Sequence, residues 1–225
     1  MRPAGRSRTL RLAHRGDWRR APENTIPALL AALAVPGCDG VEFDVRISRD
    51  GVPVLLHDET LARVQRRPER ADALSATELE ALGVPRLEAV LAAVPQGAFL
   101  DVELKGDPGD AVVDVLQAGR GAELRNAVVS SFEPATLAKV RRARPRWPLW
   151  LNAMNLGDAT LATATTLGCR GVSVQWRAVD AASLARARHS GLEVAAWTVR
   201  RRATFDRLAR LGVAAVCVEA AALDG

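Results

Sequence analysis

Tyrosine is absent from the 225 residues, and lysine nearly so, because only Lys105 and Lys139 among the 31 basic residues are not arginine. The three cysteines are far apart and form no Cys-x-x-Cys pair. This excludes a disulfide framework and predicts small buried side chains in a reducing compartment. No run approaches the roughly 18 apolar residues of a membrane span. The basic N-terminus also lacks the apolar stretch of a signal peptide, so we expect a cytoplasmic protein.

The composition, 48% hydrophobic and 25% charged, predicts one globular domain over residues 1–225. A net charge of +5 raises the question of a nucleic-acid partner. The arginines, however, are spread along the chain rather than gathered in a basic stripe with interleaved aromatic residues. We therefore expect solvated helix faces and no nucleic-acid binding.

Short apolar runs rich in β-branched residues alternate with longer segments of helical period, which is the pattern of an α/β protein. The nine predicted strands are 10–14, 40–45, 52–57, 98–105, 127–131, 148–152, 171–175, 193–198 and 213–219. The predicted helices are 25–34, 75–94, 110–119, 134–143, 158–166, 180–189 and 202–211. Nine strands are one more than an eight-stranded barrel contains.

The link between the second and third runs accounts for the extra strand. It is too short for a crossover helix, and Arg49-Asp50-Gly51 is typical of a hairpin turn. The third run then returns antiparallel to the second and brings His57 opposite Phe43 and Asp44. The other eight strands predict a TIM (β/α)8 barrel with a small β-hairpin extension after strand 2. An open doubly wound sheet is the alternative, but no Gly-x-Gly-x-x-Gly follows the first strand.

Charged residues stand at the ends of two predicted barrel strands, where catalytic groups of this fold lie. Strand side chains alternate, so Glu42 and Asp44 share one inward face, and Glu103 and Lys105 share another. Three converging carboxylates repel one another unless a cation lies between them, and hard oxygen ligands favour Mg²⁺ or Ca²⁺. The alternative is a buried ion network without metal, in which Arg15 and Lys105 pair with the carboxylates.

Two of the three histidines, His14 and His57, fall at the same predicted rim. An imidazole that titrates near neutrality beside a carboxylate cluster is a candidate general acid or base. His189 stands at a predicted helix C-terminus and is interpreted as structural. Trp197 faces inward two residues after Ala195, so it lines either the pocket or a packed barrel layer.

An ordered set of motifs over residues 10–199 resembles the glycerophosphodiester phosphodiesterases, TIM-barrel enzymes related to the phosphatidylinositol-specific phospholipases C. The matching segments are Ala13-His14-Arg15-Gly16, Pro22-Glu23-Asn24-Thr25, Glu42-Phe43-Asp44-Val45, Asp50-Gly51-Val52-Pro53-Val54, His57-Asp58, Pro85-Arg86-Leu87-Glu88, Glu103-Leu104-Lys105, Ser130-Ser131-Phe132 and Trp197-Thr198-Val199. Each motif alone is weak, whereas the set in this order is specific.

The resemblance implies cleavage of glycerophosphodiesters, such as glycerophosphocholine, to glycerol 3-phosphate and an alcohol. It implies His14 as general base and His57 as general acid. It further implies phosphate contacts from Arg15 and Lys105. The ligands of one divalent cation, Mg²⁺ or Ca²⁺, would be Glu42, Asp44 and Glu103. Trp197 is expected at the glycerol pocket.

The chain also departs from the family pattern. Glu219 stands where family members usually carry Thr-Asp at the end of the last strand, and it is expected to supply a longer carboxylate. Asn152 and Gln175 give polar ends to strands that are often apolar there. We expect these differences to leave the chemistry intact and to bear only on the preference for the leaving alcohol, which the sequence does not specify.

Two other functions compete with this interpretation. One is a lysophospholipase D type of enzyme acting on lysolipids, which requires an exposed apolar lip or a membrane-binding helix. The other is a catalytically silent phosphate-binding module, which has little reason to keep two histidines and three carboxylates together.

Overall fold

A computed structural model describes residues 8–107 and 109–224, and its nine strands belong to one sheet. The strands are β1 (Leu10–His14), β2 (Gly40–Ile47), β3 (Pro53–Leu55), β4 (Phe99–Leu104), β5 (Ala127–Ser131), β6 (Leu149–Ala153), β7 (Gly171–Gln175), β8 (Glu193–Val199) and β9 (Ala215–Val218). They lie close to the predicted runs, although β3 and β9 are shorter than expected.

Eight parallel strands close into a ring in the order β1-β2-β4-β5-β6-β7-β8-β9, because β1 pairs with both β2 and β9. Strand β3 lies outside the ring and pairs antiparallel with β2, with Leu55 opposite Val45. The predicted TIM barrel with a hairpin after strand 2 is therefore confirmed.

Helices cover the outside of the barrel. They are α1 (Ile26–Leu33), α2 (Ala76–Ala81), α3 (Leu87–Ala93), α4 (Gly109–Arg120), α5 (Pro134–Ala143), α6 (Asp158–Thr166), α7 (Ala181–His189) and α8 (Arg202–Leu211). The single helix predicted over 75–94 is wrong, because Gly83 takes a left-handed backbone with φ of 83° after α2. Among the described helices, none has the length and apolar character needed to cross a membrane.

The barrel itself has two apolar layers, and a third apolar cluster lies beside β3 and α2. A large apolar layer packs between the strands and the helices, and a smaller cluster fills the inside of the barrel. The inner cluster consists of Leu12, Phe99, Val128, Trp150, Ala195, Ala215 and Cys217, with Leu10 and Trp197 packed against it. Most of these residues come from the first halves of their strands, so the barrel is open to ligands at the carboxyl ends of the strands.

The cysteines are free, and Cys169 and Cys217 are buried as expected. Cys38 is only half-buried, because it lies in the turn before β2, where its Sγ donates to the Gly40 carbonyl. His189 ends α7 on the surface, as its structural interpretation requires.

At the opposite end of the barrel, Arg120 of α4 is fully buried. Its guanidinium donates to the carbonyls of Gln96 at 3.2 Å and Ala98 at 3.1 Å. Arg120 therefore holds the loop that leads into β4, and burial lowers the pKa of this guanidinium.

Candidate active site

His14 ends β1, and the next two residues turn the chain over the rim. Arg15 and Gly16 both take left-handed backbone conformations, with φ of 59° and 85°. A Cβ on Gly16 would lie 2.6 Å from the carbonyl carbon of Ala28 in α1, so this position requires glycine. The Arg15 amide donates to the Glu42 carbonyl at 2.8 Å, which fixes the turn against β2.

Three carboxylates meet at the mouth beside this turn. Asp44 of β2 lies opposite Glu103 of β4 in the parallel ladder, and Glu42 stands two residues earlier in β2. One oxygen from each of the three residues lies within 4.8 Å of the others. Burial and the charges of Asp44 and Glu103 raise the pKa of Glu42 well above its usual value.

Two cations and one amide hold Asp44. Lys105 Nζ lies 3.0 Å from Asp44 Oδ1, and Arg15 Nε lies 3.1 Å from Asp44 Oδ2. Burial opposes ionisation, but these cations outweigh it and lower the pKa of Asp44 to about 2. Asn24 Nδ2 donates to Asp44 Oδ2 at 2.9 Å, so Asn24 supports the carboxylate. Thr25, not Asn24, caps α1.

The carboxylates fit a divalent cation better than a closed ion network. The network exists in part, because Lys105 pairs with both Asp44 and Glu103. Glu42 Oε1, however, is buried and has no hydrogen-bond partner among the described residues. A buried carboxylate oxygen without a partner is costly, and three hard oxygen donors suit Mg²⁺ or Ca²⁺.

Asp101, a further inward residue of β4, stands two residues before Glu103 and opposite Glu42 in the parallel ladder. It accepts a hydrogen bond from Ser130 Oγ at 2.6 Å. Burial raises the pKa of Asp101 to about 7, against the effect of that hydrogen bond. Asp101 is therefore satisfied within the barrel wall, although it also lines the cavity.

His14 is held by a carboxylate from the other end of the chain. Its Nδ1 lies 2.6 Å from Glu219 Oε1, and its Nε2 lies 3.8 Å from Glu42 Oε2. Arg200 Nε donates to Glu219 Oε2 at 2.7 Å. Burial alone would raise the pKa of Glu219, but His14 and Arg200 lower it to about 2. Glu219 thus supplies a carboxylate in the expected place.

His57 lies two residues after β3 and is held in a similar way. Its Nδ1 is 2.6 Å from Asp58 Oδ1, and Arg63 Nε donates to Asp58 Oδ2 at 2.6 Å. Arg63 also donates to Glu23, whose Oε1 accepts from Arg15 Nη1 at 3.0 Å. A chain of charged groups therefore joins His57 to Arg15, and the motifs alone did not predict this connection.

Burial lowers the pKa of His57 below its usual value, although Asp44 and Asp58 act in the opposite direction. The ring is thereby a weaker base and, when protonated, a stronger acid. This suits a group that gives its proton to a leaving oxygen.

The two histidines open onto a cavity of about 170 Å³ at the carboxyl ends of the strands. Trp197 Nε1 donates to the Ser173 carbonyl at 3.0 Å, and the Trp197 ring meets Phe132 edge-on at 5.5 Å between centroids. Asn152 completes this far wall. The structure brings together at this mouth the eight residues selected from the sequence, His14, Arg15, Glu42, Asp44, His57, Glu103, Lys105 and Trp197.

A closed (β/α)8 barrel whose mouth holds two carboxylate-supported histidines, three further carboxylates and two cationic side chains has the organisation of a TIM-barrel hydrolase. The model described as the glycerophosphoryl diester phosphodiesterase family matches residues 14–223. The chain belongs to that family.

Individual relatives cover most of the chain. A glycerophosphodiester phosphodiesterase of Caldanaerobacter subterraneus is 25% identical over 92% of each chain. The mouse glycerophosphodiester phosphodiesterase 1 is 32% identical over 61% of this chain and 46% of its own length. The structure of an Oleispira antarctica phosphodiesterase, in complex with the product sn-glycerol-3-phosphate, is 26% identical. It covers 94% of this chain and 93% of its own, with a TM-score of 0.82.

Proposed function

We propose that this protein hydrolyses glycerophosphodiesters, such as glycerophosphocholine, to glycerol 3-phosphate and an alcohol. The observation that carries the proposal is the convergence of His14 and His57, each supported by a carboxylate, with Arg15 and Lys105 on one small cavity. Family membership supports phosphodiester hydrolysis as the reaction.

The cavity has two cationic side chains that match a phosphodiester. Arg15 and Lys105 are mostly buried beside the carboxylates, where charge interactions are stronger than in water. The guanidinium would bind non-bridging oxygens with two donors, and the ammonium would bind as a compact charge. Together they orient the phosphate and offset the charge that repels a nucleophile.

One divalent cation, Mg²⁺ or Ca²⁺, would be held by Glu42, Asp44 and Glu103, which are the three carboxylates with converging oxygens. When bound there, it would supply positive charge that stabilises the phosphoryl oxygens in the transition state.

The histidines divide the proton transfers. His14 takes a proton at Nε2 from the nucleophile as the nucleophile bonds to phosphorus, while Glu219 holds the opposite ring nitrogen. The nucleophile is water, or else the adjacent glycerol hydroxyl, in which case water opens the resulting cyclic phosphate in a second step. His57 gives a proton from Nε2 to the leaving alcohol oxygen as the bond from phosphorus to that oxygen breaks, and Asp58 orients its ring. Each such group contributes about 10²- to 10⁴-fold to the rate.

Lysolipids are a second candidate substrate class. Two exposed apolar side chains at the rim of the barrel favour this class, because they could contact an acyl chain. Phe132 is 42% exposed and Met154 is 65% exposed. Both follow the carboxyl ends of neighbouring strands, β5 and β6, so they stand at the same mouth. An acyl chain that leaves the cavity on this side would contact them.

The test is release of glycerol 3-phosphate or lysophosphatidic acid from glycerophosphocholine, glycerophosphoethanolamine and lysophosphatidylcholine. Purified protein is assayed with Mg²⁺, with Ca²⁺ and with excess EDTA. We expect turnover of the glycerophosphodiesters that EDTA abolishes and that Glu42→Gln removes. Equal turnover in EDTA contradicts the cation assignment, and no turnover of any substrate with either metal contradicts the proposed function. Met154→Ser serves as the control, because it should lower turnover of the lysolipid alone.

A further inference from the structure

Asn152, near the end of β6, has a buried side chain whose oxygen is not used by the described part of the chain. The residue is 6% exposed, and its Oδ1 is buried without a hydrogen-bond partner among the described residues. Leaving a buried amide oxygen unpaired lowers the stability of a folded protein. Such an atom in a cavity wall is explained when a ligand supplies the missing donor.

The side chain faces the cavity of the candidate active site. Asn152 shares the inward face of β6 with Trp150 of the inner cluster, and it lines the cavity together with its register partner Ser173 on β7. In the ring of eight strands, β6 and β7 stand opposite β1 and β2. Asn152 therefore lies across the cavity from the strands that carry His14 and Glu42.

Gln175 offers an internal comparison, because it is the other polar residue in an unusual strand-end position. Its Oε1 accepts a hydrogen bond from the Arg177 amide at 2.8 Å, so its carboxamide caps a local turn. It is absent from the residues that line the cavity. The two side-chain amides thus differ: Gln175 is satisfied within the chain, whereas Asn152 faces the cavity.

The cavity walls differ in charge. The wall that carries Arg15 and Lys105 attracts the phosphate. The rest of the lining includes the neutral amide of Asn152 and the aromatic rings of Phe132 and Trp197, which contact each other. A group bound there must be small, because the cavity is about 170 Å³, and it must offer a hydrogen-bond donor to the Asn152 oxygen. Its carbon atoms would contact the rings, and its hydroxyl would reach the amide. The glycerol moiety meets these conditions through its free hydroxyls, whereas a choline esterified to the phosphate has no O–H or N–H donor.

We propose that Asn152 is a specificity-determining residue whose Oδ1 accepts a hydrogen bond from a free hydroxyl of the substrate's glycerol moiety. This rests on the proposed function and adds the direction in which the substrate lies. The glycerol end enters the barrel against β6 and β7, and the variable alcohol points out through the mouth.

The test compares the affinities of two phosphates that differ only in the hydroxyls. Competitive inhibition or calorimetry gives dissociation constants for sn-glycerol 3-phosphate and for propyl phosphate, with the metal concentration held constant. Because both ligands carry the same phosphate, effects on the cation or on Arg15 cancel in the ratio. We expect the wild type to prefer glycerol 3-phosphate by about 10- to 100-fold, as one buried hydrogen bond implies.

Asn152→Leu should lower this ratio by at least about fivefold by weakening glycerol 3-phosphate binding alone. Asn152→Ala gives the same comparison if the leucine variant does not fold. Gln175→Leu is the matched control and should leave the ratio at its wild-type value. Equal weakening of both ligands, or an unchanged ratio in the Asn152 variants, overturns the inference.

The outcomes also separate this inference from the proposed function. A wild-type enzyme that hydrolyses glycerophosphocholine, with Asn152 variants that keep the preference for glycerol 3-phosphate, overturns the role of Asn152 alone. A wild-type protein that binds neither phosphate and cleaves no glycerophosphodiester overturns both.

Discussion

Replacing Glu219 by glutamine removes the negative charge next to His14 while keeping the shape of the Glu219 side chain. In the wild type, Glu219 Oε1 lies 2.6 Å from His14 Nδ1. Because the pKa of Glu219 is lowered to about 2, the residue is a carboxylate throughout any neutral assay. If His14 takes a proton from the nucleophile, the positive charge that develops on its ring is stabilised through this hydrogen bond.

The size of the effect follows from the kind of hydrogen bond. A hydrogen bond to a charged group contributes about 1.5–3 kcal/mol, and about 1.4 kcal/mol corresponds to tenfold in rate. We therefore expect Glu219→Gln to lower kcat for glycerophosphocholine by about 10- to 100-fold. KM should stay within about twofold, because Glu219 is not among the residues that line the cavity.

Arg200→Gln is the matched control. Arg200 donates to the other oxygen of Glu219, but its side chain is 73% exposed, so the pair is largely screened by solvent. Its kcat should fall by less than about threefold. The reasoning is refuted if Glu219→Gln and Arg200→Gln have the same kcat, or if Glu219→Gln changes KM and leaves kcat unchanged.

Three further predictions concern the rim and the base of the barrel. Lys105→Arg should lower turnover at least tenfold, because Lys105 is packed between Asp44 and Glu103. Lys139→Arg on the surface should leave turnover unchanged, and equal turnover of the two variants contradicts this prediction. Gly16→Ala should lower the free energy of unfolding by about 1–3 kcal/mol in denaturant titrations, and a wild-type midpoint would contradict the clash with α1. Arg120→Met should lower the free energy of unfolding by about 2–4 kcal/mol, because it removes the buried hydrogen bonds to the loop before β4. An unchanged melting temperature would show that these hydrogen bonds do not stabilise the loop.

The barrel fold and the residues at its mouth were predictable, because both depend on features of short stretches of sequence. Strand side chains alternate with a period of two, so the sequence around Glu42 and Glu103 already indicates which residues face inward. The turn at Asp50-Gly51 leaves too few residues for a crossover helix, so β3 had to return beside β2. Both inferences need only neighbouring residues and the fixed geometry of the backbone.

Other features were not predictable because they depend on distances between side chains that are far apart in sequence. Glu219 meets His14 only because β9 closes the ring against β1. Glu23 and Arg63 connect the two sides of the mouth because the α1 turn and the segment after β3 fold toward each other. The motifs included Glu23, but not the partner that it binds.

The sequence by itself determined the order of elements and the inward face of each strand, since alternation and loop length are properties of the local chain. Only the tertiary structure decided which inward polar groups are satisfied and which are left for a ligand. Asn152 and Gln175 are both polar residues at strand ends. The Gln175 side chain accepts a hydrogen bond from a nearby backbone amide, whereas the Asn152 side chain lines the cavity. Barrel closure makes this difference, because it fixes the partners across the ring that alternation cannot specify.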